Sequence, residues 1–285
     1  MHFLSLLAAL GAVALALPYA SAARKYTVKN VTDDQVDDLK VYANLAGAAY
    51  SDLTSWDCSH CDEVQNSTLV QFFSKNDNVT VGYIAVNNDI ESVTLAFRGT
   101  TEAKQWVQDF KFSKVDFPDD TDGSQVHKGF LETYQEVADD VYEQATEQLD
   151  QHPNHTLTIV GHSLGGASVA AVDFVSRNES LASVMKVVTF GKPRVGNLDY
   201  VKHYNGMKVN TTRVVNKNDL IPHVPTSYMN FHHEGSEVWI LSNSTANATV
   251  SCPQTNNRSN PDCSYSVKTR DLNQTQHDWY WDIYM

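Results

Sequence analysis

One stretch constrains the fold more than any other: Thr156-Leu157-Thr158-Ile159-Val160, then Gly161-His162-Ser163-Leu164-Gly165, then Gly166-Ala167-Ser168-Val169-Ala170-Ala171. The first run is short, apolar and β-branched, as a buried strand requires. The last is a run of small residues that suits a helix packed close against a sheet. Between them lies a G-x-S-x-G pentapeptide. Its glycines leave room for a turn tight enough to lift the serine hydroxyl clear of the sheet edge. Alone the pentapeptide carries modest weight, since a chain of this length gives about 0.1 matches by chance. The strand before it and the helix after it set it apart from an ordinary glycine turn. Together they predict an α/β fold with Ser163 as candidate nucleophile.

An unassisted serine hydroxyl is a weak nucleophile. It needs a base to take its proton and an acid to orient that base. In α/β-hydrolase sheets these follow the serine in the order acid, then histidine. Asp219 comes just after the strand-like run Thr211–Val215, which places a carboxylate at the carboxyl end of a strand, where the sites of such sheets lie. Asp173 and Asp199 compete, but both read as solvated residues on helix faces. His277, in Gln276-His277-Asp278-Trp279-Tyr280, follows the last strand and is the candidate base. His223, His232 and His233 are its competitors. His223 stands four residues from Asp219 and is expected to support the acid's loop.

The rest of the chain fits one such domain, from residue 23 to 285, with no internal repeat and no Gly/Ser linker. Helical spacing of Val36, Leu39, Ala43, Ala46 and Tyr50 predicts a helix from about Asp33 to Tyr50, with Thr32 and Gln35 forming a capping box. Strands are expected at Leu69–Ser74, Val79–Val86, Ser92–Arg98, Thr156–Val160, Val187–Phe190, Thr211–Val215 and Glu237–Leu241. A single long helix is expected from Gly129 to about Gln151 and another over Gly165–Arg177. Alternation of strand and helix through this half predicts a mixed, mostly parallel central sheet flanked by helices.

Charge and cysteine usage narrow the surroundings. A net charge of −13 argues against nucleic acid as a partner and against docking to anionic lipid through a basic patch. Residues Phe3 to Leu17 form an apolar run, broken at Pro18 and followed by Ala20-Ser21-Ala22. This is the pattern of a secretory signal over residues 1–22, too short to span a membrane. No later segment is apolar enough to span. Asn-x-Ser/Thr sequons at Asn30, Asn66, Asn78, Asn154, Asn178, Asn210, Asn243, Asn247, Asn257 and Asn273 are glycosylation candidates in a secreted chain. The four cysteines, Cys58, Cys61, Cys252 and Cys263, read as two disulfides. Three pairings are possible; Cys58–Cys61 with Cys252–Cys263 is the simplest. Their spacing does not suit zinc, and no metal or organic cofactor is expected.

Further segments point to a family. Phe97-Arg98-Gly99-Thr100, Val126-His127-Lys128-Gly129-Phe130, the pentapeptide, Gly191-Lys192-Pro193-Arg194-Val195-Gly196, Asp219-Leu220-Ile221-Pro222-His223-Val224-Pro225 and Phe231-His232-His233-Glu234-Gly235 occur in this order. The chain thereby resembles the fungal class 3 lipase family, of the secreted Rhizomucor and Thermomyces type, from about Tyr42 to about Tyr280. The resemblance implies the triad Ser163, Asp219 and His277. It also implies an oxyanion hole from Thr100 and the backbone N–H of Leu164. The chain lacks the extra cysteine pair that members often carry, and it ends a few residues past His277, which predicts a less restrained His277 loop.

The family's lid position falls on residues 103–112. Here Ala103, Trp106, Val107 and Phe110 recur at helical spacing, followed by Phe112, so one face is apolar. This implies a helix that covers the site in water and turns its apolar face to a lipid interface. The expected function is a secreted, monomeric carboxylic-ester hydrolase acting on a lipid or other ester substrate with water. A triacylglycerol or mono/diacylglycerol lipase is favoured. A feruloyl or other soluble-ester esterase of the same family is the alternative. A serine peptidase, and a non-catalytic secreted binding protein on a hydrolase scaffold, are weaker ones.

Overall fold

The structure, a computed structural model, describes residues 28–75, 79–100, 113–118, 123–164, 167–242, 245–254 and 256–285. The signal-like residues 1–22, the candidate lid residues 103–112, and the sequon asparagines Asn78 and Asn243 lie outside these.

The described residues form a nine-stranded sheet. In chain order its strands are β1 (Lys29–Asn30), β2 (Ser67–Lys75), β3 (Thr80–Asn87), β4 (Ser92–Phe97), β7 (Thr156–His162), β8 (Met185–Phe190), β9 (Asn210–Asn216), β10 (Ser236–Ile240) and β11 (Thr249–Cys252). Small hairpins are made by β5 (Lys114–Asp116) with β6 (Gln125–His127), and by β12 (Trp279–Tyr280) with β13 (Ile283–Tyr284). The order across the main sheet is β1-β11-β10-β9-β8-β7-β4-β3-β2. The five central strands, β4, β7, β8, β9 and β10, pair in parallel, and both flanks are antiparallel. The mixed, mostly parallel sheet read from the alternation is therefore present.

Helices cover both faces, which is why β3 and β4 are buried along their whole length. On one face lies α1 (Asp33–Ala48), capped by Thr32 and Gln35 as expected. It packs with the C-terminal Tyr280 and Trp281 over Ala96, Val160, Val188 and Phe190. On the other face lie α2 (Lys128–Gln135), α3 (Ala138–Gln151), α4 (Ala167–Arg177) and α5 (Leu198–Gly206). They cover Leu95, Phe97, Leu157, Ile159 and Val187. Residues alternate between the two cores along each strand, so the period of two in the sequence becomes two separate packed layers.

One expectation needs correction. The helix foreseen from Gly129 to Gln151 is two helices, α2 and α3, broken at Glu136–Val137. The single hydroxyl hydrogen of Thr80 on β3 is shared between the Glu136 carboxylate (2.6 Å) and, at longer range, the Thr133 carbonyl (3.2 Å). Val137 N–H turns instead to Tyr134, and its φ is −126°. The apolar spacing continues across the break, so the pattern alone could not reveal it. The short strands β1, β11, β12 and β13 were likewise not foreseen. Both disulfides have the simplest pairing, Cys58–Cys61 and Cys252–Cys263.

Candidate active site

Ser163 follows β7 directly and holds φ at 56°, a left-handed conformation that costs a non-glycine residue about 1–2 kcal/mol. Two supports hold it there. Its N–H donates to Phe190 O at 2.8 Å, extending the β7–β8 pairing by one bond. Gly99, at the end of β4, passes so close that a Cβ there would stand 2.7 Å from Ser163 Cβ and 2.6 Å from His162 O. Only a glycine lets the segment leading to Thr100 lie against the serine turn. Behind the turn, Ala167 to Val172 on α4 are all buried, as the small-residue run required.

Asp219 lies just past β9 and is fully buried. Its Oδ1 accepts the Ile221 N–H at 2.9 Å, and its Oδ2 accepts Nδ1–H of His277 at 2.8 Å. The second bond leaves His277 Nε2 as the lone-pair nitrogen, the tautomer a general base needs. His277 is also buried, and its ring stacks on His162, the neighbour of Ser163, with centroids 4.6 Å apart. Among the described residues neither Ser163 Oγ nor His277 Nε2 has a hydrogen-bond partner. Both are buried polar atoms, an arrangement that structural side chains avoid and that reactive groups tolerate.

The loop bearing His277 is held despite the missing cysteine pair. Asn216 Nδ2 donates to Gln276 O, Asn273 N–H to Asn218 O, and Asn218 Nδ2 to Asp271 O. The loop after β9 is thus zipped to the loop before β12. Gly191, at φ 60°, provides the space: a Cβ there would stand 2.7 Å from the His277 ring and collide with the Tyr280 hydroxyl. These bonds restrain the loop for which the sequence predicted less restraint than in relatives. His223 takes the supporting place foreseen for it, with Nδ1 2.9 Å from Asp219 O. Asp173 pairs with Arg177 and Tyr134, and Asp199 with Lys202, as helix-face residues. His232 lies 3.2 Å from Asn230 and His233 2.7 Å from Pro222 O, both apart from Ser163.

Comparison with known proteins agrees with this geometry. A family profile described as Lipase (class 3) matches residues 94–229. The secreted mono- and diacylglycerol lipase A of Penicillium cyclopium is 33% identical over 265 residues, covering 88% of this chain and 83% of the relative. The chain belongs to the class 3 lipase family. A lipase of Rhizomucor miehei is 31% identical over 247 residues, covering 84% of this chain and 67% of the relative. The chain spans 61% of the length of the Rhizopus lipases it also matches. A solved triacylglycerol lipase, whose catalytic centre is described as a serine protease triad, superimposes with a TM-score of 0.84 at 30% identity. That match covers 90% of this chain and 98% of the solved one. With the geometry above, membership makes this class 3 lipase a serine ester hydrolase.

What braces the acid's loop in this class 3 lipase is not legible in its sequence. Arg194 is buried and donates to His223 O (2.5 Å) and Pro225 O (2.7 Å). Beside it Lys192 pairs with Glu234 at 2.8 Å, with both side chains buried, and Arg213 pairs with Glu237 at 3.4 Å. Burial brings Arg194 down to about 10, and it draws the pKa of His233 well below its ordinary value, helped by Arg213, Arg194 and Lys192. Lys192, Arg194, His233 and Glu234 stand in the family segments and Arg213 and Glu237 in strands β9 and β10, but nothing in the local sequence shows that the fold buries these charges. Thr100 and Leu164 flank the serine turn, Thr100 through Gly99 and Leu164 as the residue after Ser163.

Proposed function

We propose that this class 3 lipase is a secreted enzyme that hydrolyses acylglycerols through an acyl-enzyme on Ser163. The observation that carries the reading is the buried Asp219–His277 bond, with its base nitrogen turned away from the acid and beside the serine turn. His277 Nε2 takes the Ser163 proton as Oγ attacks the ester carbonyl, and Asp219 stabilises the imidazolium that forms. The C–O bond to the glyceride breaks as His277 returns the proton to the departing alkoxide. Water then attacks the acyl-Ser163 ester with the same base, releasing the fatty acid and restoring the hydroxyl. Backbone N–H groups of Thr100 and Leu164 would hold the oxyanion, at about 3–4 kcal/mol per donor.

Access supports a lid. Ser163 is only 1% exposed, which is consistent with a covered site. The amphipathic residues 103–112, with Trp106 and Phe110, are the covering segment in this reading. An exposed apolar face costs about 25 cal/mol per Å² in water, which favours the closed form until lipid receives that face. Export is supported by both disulfides and by the relative named as secreted. No helix among the described residues is long and apolar enough to cross a membrane.

The test is a fluorophosphonate probe followed by a substrate panel. Labelling at Ser163, and a rise in rate as glyceride passes from monomeric to emulsified, are expected. Faster turnover of methyl ferulate than of any glyceride would favour the esterase alternative. An unlabelled Ser163 would overturn the catalytic assignment.

A further inference from the structure

His277 reaches the site from the end of the chain, and its ring is bonded at Nδ1 alone. One bond to Asp219 sets the tautomer, and the loop network ties the segment to β9, but neither ties the main chain of His277 to the serine turn. A second restraint acts on that main chain. His162 Nε2 lies 3.1 Å from the His277 carbonyl oxygen, and its Nδ1 lies 2.5 Å from the Tyr50 hydroxyl. A carbonyl only accepts, so Nε2 carries the hydrogen and Nδ1 accepts from Tyr50 O–H. The Gly99 backbone N–H in turn faces the Tyr50 oxygen. The chain of donors thus runs from Gly99 through Tyr50 and His162 to His277.

Resting on the catalytic reading above, we propose that His162, oriented by Tyr50, is a positioning residue that ties the main chain of the base to the serine turn. His162 is adjacent to Ser163 and rigid with it, so the tether fixes base relative to nucleophile directly, without passing through the sheet. Its ring packs on that of the base and its hydrogen bond goes to the base's main chain, so it acts through His277. Two features beyond the bonds support the role. Both His162 and Tyr50 have their polar atoms spent on this chain. Burial and the neighbouring His277 also hold the His162 pKa well below its ordinary value, which keeps Nδ1 unprotonated and able to accept. A structural histidine would need none of this directionality.

The experiment compares His162→Leu, His162→Gln, Tyr50→Phe and the Tyr50→Phe/His162→Leu pair with the wild type on a soluble short-chain p-nitrophenyl ester. Melting temperature is measured for each. Leucine removes the donor, whereas the glutamine amide reaches the Nε2 position and can still donate. We expect kcat to fall about 100-fold in His162→Leu with KM within about twofold, because misplacing a base by an ångström has that effect. His162→Gln should recover about tenfold of the loss at a melting temperature no higher than that of the leucine variant. Tyr50→Phe should lower kcat in the wild type and lower it no further in His162→Leu, since the two act through one chain. Unchanged kcat in His162→Leu, glutamine no better than leucine, or full additivity with Tyr50→Phe would each overturn the tether. Fluorophosphonate labelling of wild-type Ser163 separates the two levels. If labelling succeeds and the variants are silent, only the tether fails; if labelling fails, the catalytic reading fails with it.

Discussion

Ser163 and Gly191 show how single residues make the site possible. The serine is held at φ 56° by the Phe190 carbonyl, and the His277 ring occupies the space that a side chain at Gly191 would fill. Gly191→Ala should therefore lower kcat far more than KM by pushing the ring aside, and should also destabilise the fold through the positive φ. Steady-state kinetics and a melting curve check both. Asp219→Asn keeps the shape but inverts the hydrogen-bond demand on Nδ1, so kcat should fall about ten-thousand-fold with the fold intact. Two buried histidines, His162 and His233, have pKa values well below the ordinary 6.5, chiefly through burial. The unfolded chain protonates them near 6.5 and the native state does not, so the unfolded state binds more protons in this window. Stability is then retained above about pH 6.5 and lost as pH falls below it, by up to about 1.4 kcal/mol per pH unit for each histidine. Urea unfolding across about pH 5–7.5 should show this slope, and His233→Gln should flatten it.

At the scale of elements, two short covalent loops and one broken helix set local stability. Cys58–Cys61 closes a loop with a sequence separation of 3 and Cys252–Cys263 one of 11. Loop-closure entropy then assigns them about 2 and about 3 kcal/mol. Replacing each pair by alanine and measuring denaturant unfolding should give that order, with the larger loss at Cys252–Cys263. At the break between α2 and α3 the Thr80 hydroxyl serves two acceptors. Thr80→Val should cost about 1 kcal/mol by leaving the Thr133 carbonyl short of a donor. A variant as stable as wild type would mean that something other than this bond breaks the helix.

Across the whole molecule, five of the eight described sequon asparagines share one end of the sheet, whereas Asn30, Asn247 and Asn273 lie toward the other. Asn66 precedes β2, Asn154 precedes β7, Asn178 follows α4 and Asn210 opens β9; all four are exposed. Asn257 joins them through a bond from Asn205 at the end of α5. All five thus lie at the amino ends of the parallel strands. Ser163 lies at the carboxyl ends, about 20 Å away along β7 by the rise of a strand. Glycans at these sites would cover the face turned from lipid. Glycopeptide mapping of the exported protein should find them occupied. Asn→Gln replacement at all five should leave the rate on emulsified glyceride per folded molecule unchanged. A large change in that rate would show that this face also meets the substrate.

The amino-acid sequence by itself determined the α/β class and the serine turn, and it offered Asp219, His277 and the local cysteine pairing as the simplest candidates among open alternatives. Each is written in nearest neighbours: alternation along a strand, small residues after a turn, short spacing between cysteines. The tertiary structure alone decided where charges and polar groups are buried. Nothing local marks Lys192, Arg194, Arg213, Glu234 and Glu237 as buried, and the fold closes over them because their partners come from distant segments. Tyr50 and His277 stand far apart in sequence and meet on His162 because α1 and the C-terminal loop pack on the same face of the sheet. Such contacts are set by sheet order and layer packing, which no local pattern encodes.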